Sequence, residues 1–151
     1  MRIPRLQLAR FLPYRLSVTS NLVSAMIASR YQDLFEISIP QWRVIAVIGE
    51  HGSASQQIIG NVTRMDKVTV SRAAISLAAR KLITRKIDPN DKRSQRLALS
   101  PLGKQLYDSI APRAMEMESQ IFSCLSVRDR RMLVRVLSAI DARVDVIAAK
   151  G

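Results

Sequence analysis

Residues 66–100 read DKVTVSRAAISLAARKLITRKIDPNDKRSQRLALS, and this stretch decides the fold. Asp66 is a favourable N-cap, and helical periodicity follows it as far as about Lys81. The pattern then changes to two short strands, residues 82–87 and 95–100. Between them lies the turn-rich, charged sequence of residues 88–93. A helix followed at once by a β-hairpin is therefore predicted.

Two further helices are predicted directly before this stretch. Ser38 and Gln41 form a capping-box pattern, with a proline inside the first turn, and they open a helix that a His-Gly pair ends. Ser53 repeats the capping pattern and predicts a short helix that ends near Asn61. Three helices and a hairpin in this order predict a winged helix-turn-helix over residues 38–100.

Long helices are predicted on both sides of this unit. Apolar residues at helical spacing predict a first helix over residues 13–31. Ser100 and Pro101 open a fifth helix, in which Pro112 should produce a kink or a local break. Ser126 caps a sixth helix. The apolar residues of the sixth helix step by four and three: Leu133, Leu137, Ile140, Val144 and Ile147.

The charge of the chain is strongly positive and unevenly distributed. Lysine and arginine number 24 against 12 aspartate and glutamate, which gives a net charge of +12. Residues 64–104 carry eleven basic and three acidic side chains, which is +8 of that total. A dense positive field on a small domain favours binding to a polyphosphate. The alternative is a solvated basic surface on an unrelated protein.

The remaining composition argues against several classes of protein. An apolar content of 48% is too high for an intrinsically disordered chain. Cys124 is the single cysteine and His51 the single histidine, so we expect neither a disulfide nor a metal site. No apolar run of about 18 residues occurs, so we expect no membrane partner and a cytoplasmic protein. Phosphate-loop, nucleophile-elbow and metal-binding helix motifs do not occur either, so we expect no cofactor and no enzyme activity.

The helix after Asp66 is the candidate for reading DNA, because a recognition helix points its N-terminal residues at base edges in the major groove. Its polar side chains offer donors to phosphate and guanine, and a valine offers a contact to a thymine methyl group. The predicted DNA-binding residues are Lys67, Val68, Thr69, Ser71 and Arg72. The residues expected to face the core are Val70, Ala73, Ala74 and Leu77. An ordinary amphipathic surface helix is the alternative.

The tip of the hairpin is the second candidate for a DNA contact. Lys92 and Arg93 lie at the tip, and arginine is favoured by the enhanced negative potential of a narrow minor groove. Asp91 is placed to hold an arginine by a charge-assisted hydrogen bond. A generic polar turn between two strands is the alternative.

Four short motifs follow one another along the chain between residues 41 and 103. They are Gln41-Trp42-Arg43-Val44 in the second helix, residues 66–72, Asp88-Pro89-Asn90-Asp91-Lys92-Arg93 in the hairpin, and Leu99-Ser100-Pro101-Leu102-Gly103 at the fifth helix. In this order and at these separations the chain resembles the MarR family of multiple-antibiotic-resistance-type regulators, over residues 13–150. Lys81 stands where the family usually has glycine, so the exit to the wing is expected to differ. Lys92 replaces an arginine and keeps its charge without its planar fork.

The resemblance implies a two-fold homodimer formed by the first, fifth and sixth helices. The expected fold is mainly α with a small β-hairpin, a winged helix-turn-helix DNA-binding domain flanked by helical dimerisation elements. In a single domain over residues 1–151, residues 38–100 would bind double-stranded DNA, and residues 1–37 and 101–151 would dimerise. Residues 1–12 are either a disordered tail or an arm across the dimer.

The resemblance also implies sequence-specific regulation of transcription, often repression, with release by a small-molecule effector. By position, Thr69 and Arg72 match base-reading sites of the family, and Arg93 matches its minor-groove arginine. The candidate effector pocket consists of Tyr31, Trp42, Arg43 and His51, although for Trp42 a place in the core is the favoured alternative. Two alternatives remain: an architectural protein that coats DNA with little sequence preference, and a helical interaction module with an acidic partner.

Overall fold

The computed structural model describes residues 5–151, which fall into two compact units that divide after Met117. The second unit contains the 3-10 turn Phe122–Cys124 and α7 (Val127–Ala148), and α6 (Pro101–Ile121) begins in the first unit and ends in the second. The other elements belong to the first unit: the 3-10 turn Leu8–Arg10, α1 (Leu12–Ala28), α2 (Gln32–Phe35), α3 (Ile39–His51), β1 (Ala54–Ser55), α4 (Gln56–Thr63), α5 (Lys67–Ala79), β2 (Ile83–Ile87) and β3 (Gln95–Leu99).

The predicted hairpin is present as part of a three-stranded antiparallel sheet in the order β1-β3-β2. Ile83 lies opposite Leu99 in the hairpin, and Ala54 of β1 lies opposite Leu97 on the other side of β3. The prediction missed β1, because a strand of two residues is too short to show alternation. The mainly helical fold with a small sheet and a winged helix-turn-helix is confirmed.

The core of the first unit lies between α3, α4, α5 and the sheet. All of these elements contribute large, fully buried side chains: Ile45, Ile48, Ile59, Leu77 and Leu97. Each such side chain contributes about 1.5–3 kcal/mol by leaving water. This packing holds α5 by one face and leaves its other face free.

The start of α3 is confirmed, but the N-cap of α4 was predicted two residues too early. Ser38 and Gln41 form the reciprocal capping box at α3. At α4 the hydroxyl of Ser55, not that of Ser53, accepts a hydrogen bond from a helical N–H, at 3.2 Å. Ser53 instead accepts two hydrogen bonds from the guanidinium of Arg96 on β3. A contact between residues 43 positions apart thus overrides the local capping pattern.

The first helix is shorter than predicted. It ends at Ala28, where the hydroxyl of Ser29 donates to the Met26 carbonyl, and a separate short helix follows as α2. Tyr31, predicted as the last residue of the first helix, is instead the N-cap of α2 and is only 2% exposed. The chain leaves the helix at Ala28 and buries Tyr31 in the core, so the apolar periodicity does not correspond to one continuous helix here.

The two later helices begin where the sequence predicts. Pro101 opens α6, and Ser126 caps α7 by accepting from the Asp129 N–H at 3.1 Å. Pro112 lies inside α6, and the helix continues through it to Ile121, so the predicted local break is absent.

The end of α5 has the geometry that glycine usually supplies. Lys81 has a φ of +59°, its N–H donates to the Ala78 carbonyl, and the Leu82 N–H donates to the Leu77 carbonyl. These two bonds are those of a Schellman motif, with Lys81 in the left-handed position. The exit to the wing was expected to differ because of Lys81, and this expectation is wrong: lysine adopts the conformation in spite of its Cβ.

Replacement of Lys81 by glycine is therefore expected to stabilise the protein. Glycine adopts a positive φ without the steric cost of a Cβ, so the gain should be about 1 kcal/mol. The Tm should rise by roughly 2–4 °C in calorimetry. Lys86→Gly is the matched control, since it removes the same charge from an exposed, extended position and should lower the Tm. Equal losses in both variants would contradict the strain assigned to Lys81.

Candidate nucleic-acid interface

The first turn of α5 is exposed, and the opposite face of this helix is buried. Lys67, Val68 and Arg72 are exposed, whereas Thr69 and Ser71 are half-buried. The core-facing residues are as predicted, each at most 5% exposed: Val70, Ala73, Ala74 and Leu77. The helix therefore presents the five predicted DNA-binding residues away from the core or at its edge.

Asp66 makes two hydrogen bonds to one residue at this helix start. Its Oδ1 accepts from the Thr69 backbone N–H at 2.8 Å, and its Oδ2 accepts from the Thr69 hydroxyl at 2.9 Å. These two bonds hold the pKa of the Asp66 carboxyl below its usual range, so the group is ionised at neutral pH. Thr69 was predicted as a hydrogen-bond donor to DNA, but its only hydroxyl proton is engaged within the protein.

The helix α5 is tied to the preceding helices by two polar contacts. Nε2 of Gln41 donates to the Ser76 hydroxyl at 2.8 Å, which joins the start of α3 to the middle of α5. The guanidinium of Arg80 donates to the carbonyls of Glu36 and Phe35, at 2.7 and 2.9 Å, at the C-terminal end of α2. Sequence reasoning missed both contacts, since their partners lie 35 to 45 positions apart. They fix the position of the helix that presents the predicted reading residues.

The hairpin tip carries Lys92 and Arg93 as exposed side chains. Asp91 acts through the backbone: its Oδ1 accepts from the Arg93 N–H at 3.0 Å, and its carbonyl accepts from Ser94. The predicted bond from Asp91 to an arginine side chain is not what the structure shows. Its neighbour Asp88 faces a guanidinium instead, at 3.6 Å from Arg96. The turn is thus shaped by Asp91 while both tip cations extend into solvent.

Three aromatic rings form a row in the first unit. The ring centroids of Tyr31 and Trp42 are 5.7 Å apart, and those of Trp42 and Tyr107 are 5.9 Å apart and stacked. Burial raises the pKa of the Tyr31 hydroxyl, and the nearby positive charge of Arg43 opposes this effect. The structure therefore brings together Tyr31, Trp42 and Arg43 of the candidate pocket. It adds Tyr107, which no sequence signal indicated.

His51 lies apart from these rings, at the other end of α3. Its Nδ1 is 2.9 Å from the Val47 carbonyl oxygen, a contact within the same helix. His51 lies nine positions after Trp42 in α3, a distance of about 13 Å along the helix axis. A groove of about 470 Å³ near this end is lined by Gly49, Lys104 and Tyr107, among others. Tyr107 is thus the residue that the rings and this groove share.

Among the described residues 5–151, no helix has both the length and the apolar character needed to cross a membrane. Nor do these residues gather three or more histidine, cysteine, aspartate or glutamate side chains in a group that could hold a metal ion. Cys124 is an exposed free thiol in the turn before α7.

Comparison with known sequences points to one family. The model described as the MarR family matches residues 35–94. The HTH-type transcriptional regulator YxaD of Bacillus subtilis is 30% identical over 60% of this chain and 63% of its own length. The HTH-type transcriptional repressor NicR of Pseudomonas putida is 26% identical over 64% of this chain and 61% of its own length. The chain thus spans less than two thirds of these curated relatives.

Comparison with solved structures covers nearly the whole chain. A MarR/EmrR family transcriptional regulator from Acinetobacter sp. ADP1 is 25% identical, with a TM-score of 0.85 over 93% of this chain and 99% of that one. BpsR of Bordetella bronchiseptica, whose DNA binding is regulated by 6-hydroxynicotinic acid, is 22% identical, with a TM-score of 0.81 over 91% of this chain and 98% of that one. The second likeness is one of fold alone.

Proposed function

We propose that this chain, whose residues 35–94 match the MarR family of transcriptional regulators, is a homodimeric, sequence-specific DNA-binding repressor that responds to a small-molecule effector. It would bind a pseudo-palindromic site in duplex DNA near a promoter and compete there with polymerase. Such a protein acts where the promoter is, in the cytoplasm.

The observation that carries this proposal is the exposed first turn of α5. The helix is held in the core by one face, which leaves Lys67 and Arg72 exposed and Thr69 half-buried at the edge of the core. A recognition helix inserts its N-terminal residues into the major groove in this way. Lys92 and Arg93 at the wing tip supply contacts to the minor groove or the backbone. Ser71 and Val68 complete the proposed contact surface.

The proposed dimer uses the helices outside residues 38–100. Many large apolar side chains of α1 and α7 are exposed in the single chain, and α7 has no buried residue at all. Monomeric proteins rarely expose so many large apolar side chains on their helices, so a second copy is the proposed cover for each of these helices. Residues 1–37 and 101–151 would form this dimerisation part. Two reading helices would then engage half-sites about one helical turn, ~34 Å, apart.

The effector would bind beside the aromatic row. Tyr31, Trp42 and Tyr107 offer stacking surfaces, and Arg43 offers a positive charge for an acidic group. In BpsR, which shares the fold, DNA binding is regulated by 6-hydroxynicotinic acid, an aromatic acid, which agrees with this chemistry. His51 lies at the far end of α3 from Trp42, so it would contact only an effector that extends along the helix to that end.

The proposal is tested by titrating labelled DNA from upstream of the protein's own gene against a scrambled duplex at two salt concentrations. A preference of a few decades that survives the higher salt is expected for a site-specific regulator. Equal affinities that fall steeply together with salt would contradict the proposal for this DNA and favour an architectural protein.

Arg72 and Arg93 are expected to act differently on such DNA. Arg72→Ala should lower affinity for the specific site by about 1–3 kcal/mol, roughly 5- to 150-fold, and change non-specific affinity little, because it loses a base contact. Arg93→Ala should weaken binding with a shallower salt slope, because it loses a contact to the negatively charged groove. Both are measured by titration on the selected site and on scrambled duplex. An equal loss on both duplexes for Arg72→Ala would refute its role as a base reader.

A further inference from the structure

We propose that Asp66 determines which bases the reading helix accepts, by making the Thr69 hydroxyl an acceptor rather than a donor towards DNA. The inference rests on the proposed function, since it concerns the base preference of α5. Asp66 is here a positioning residue, which acts on DNA through Thr69.

The hydrogen bond between Thr69 and Asp66 has a fixed direction within the protein. A threonine hydroxyl has one proton to donate and two lone pairs that accept. The Thr69 hydroxyl donates that proton to Oδ2 of Asp66 at 2.9 Å, while Oδ1 of the same carboxylate holds the Thr69 N–H. The lowered pKa of Asp66 keeps the carboxylate ionised, and an ionised carboxylate can only accept. Only the lone pairs of Thr69 remain free.

The free lone pairs of Thr69 can recognise hydrogen-bond donors at the base edges in the major groove. Adenine N6 and cytosine N4 carry the amino groups that donate there, whereas guanine and thymine present acceptors at the same edge. A Thr69 acceptor therefore favours adenine or cytosine. It disfavours guanine and thymine, because two acceptors would face each other beside the negative charge of Asp66.

Thr69 has a neighbour on α5, Arg72, with the opposite preference for bases. Arg72 lies one turn further along α5, so the two side chains share one side of the helix. Both line a shallow depression of about 280 Å³ together with the start of α3. Arg72 has donors only and suits the acceptors of guanine. The half-site should therefore contain an adenine or cytosine within the same few base pairs as a guanine.

The test is a selection of binding sites from a randomised duplex library, with sequencing of the enriched DNA. In Asp66→Asn the amide oxygen still caps the helix, because asparagine is as good an N-cap as aspartate. Its NH₂ group would donate to the Thr69 hydroxyl and free the hydroxyl proton for DNA. Because the hydroxyl then has both a proton and one lone pair available, we expect the preference for adenine or cytosine at one position to be lost, with guanine and thymine gaining about fivefold relative to them and the other positions unchanged.

Three further variants separate this effect from a structural one. Thr69→Val keeps the shape of the side chain without the hydroxyl, so preference at that position should fall to about the level of a methyl contact. In Thr69→Val, the added Asp66→Asn change should have no further effect on base preference. Thr69→Ser keeps the hydroxyl and should keep the wild-type preference. Thermal melts of every variant, which should agree within a few degrees, show that each is folded.

The outcomes distinguish the inference from the proposed function. Absence of any enriched motif with the wild-type protein would overturn both. An enriched wild-type motif that Asp66→Asn leaves unchanged would overturn the inference alone. So would the same change of preference by Asp66→Asn with and without the Thr69 hydroxyl.

Discussion

Replacing Gly103 by alanine should lower the free energy of unfolding by about 3 kcal/mol, at the upper end of the usual cost of overpacking. A Cβ at Gly103 would overlap the carbonyl oxygen of Leu82 and lie 2.9 Å from its carbonyl carbon. This carbonyl is backbone and accepts the Ser100 N–H at 3.0 Å, so it cannot move without loss of that bond. Ser100 in turn donates its hydroxyl proton to the Lys81 carbonyl and accepts from the Gly103 N–H. The start of α6 therefore has room only for glycine.

The Tm of Gly103→Ala should fall by roughly 10 °C in calorimetry at matched protein concentration. Gly60→Ala is the control, because a Cβ there would meet its nearest atom, the Met65 carbonyl oxygen, at an ordinary 3.5 Å. Gly60 lies inside α4, where alanine is favoured over glycine, so this variant should be as stable as the wild type or more stable. A Gly103→Ala protein with wild-type stability would mean that α6 does not approach Leu82 as closely as described.

Placing a charge in the apolar stripe of α7 should separate the proposed dimer and abolish tight DNA binding. Leu137 is the second of the five residues of this stripe and is 40% exposed in the single chain. Leu137→Glu would place two carboxylates in a two-fold interface, one from each subunit, with no partner for either. Since one reading helix without its mate loses the gain from joint binding, affinity for the specific site should fall by about 100-fold or more.

The mass of the protein in solution, measured by sedimentation, should change from that of two chains to that of one. Ser138→Glu is the control on the next residue, which points away from the stripe and should leave both mass and affinity near their wild-type values. A Leu137→Glu protein that remains dimeric would show that α7 does not form the interface. A monomer that keeps full affinity would refute the two-fold mode of binding.

Much of this molecule follows from local sequence rules. The capping box at Ser38, the N-cap Asp66 and the cap at Ser126 set helix starts through bonds that span three residues, so they are readable along the chain. The core face of α5 follows from its 3.6-residue period, and the hairpin from two strands around a polar turn. The candidate DNA contacts follow as well, because they are consecutive residues at the start of one helix and at one turn.

The rest depended on residues far apart in sequence. The strand β1 exists because two residues pair with β3, and the same approach of Arg96 to Ser53 moves the cap of α4 to Ser55. Arg80 reaches the end of α2, and Tyr107 reaches Trp42 across 65 positions of sequence, with no pattern in either segment that indicates the other. Local hydrogen bonds and periodicity thus determined most of the helices, the hairpin and the exposed reading turn. Only the packing of distant segments decided where those elements meet and which glycine has no room for a side chain.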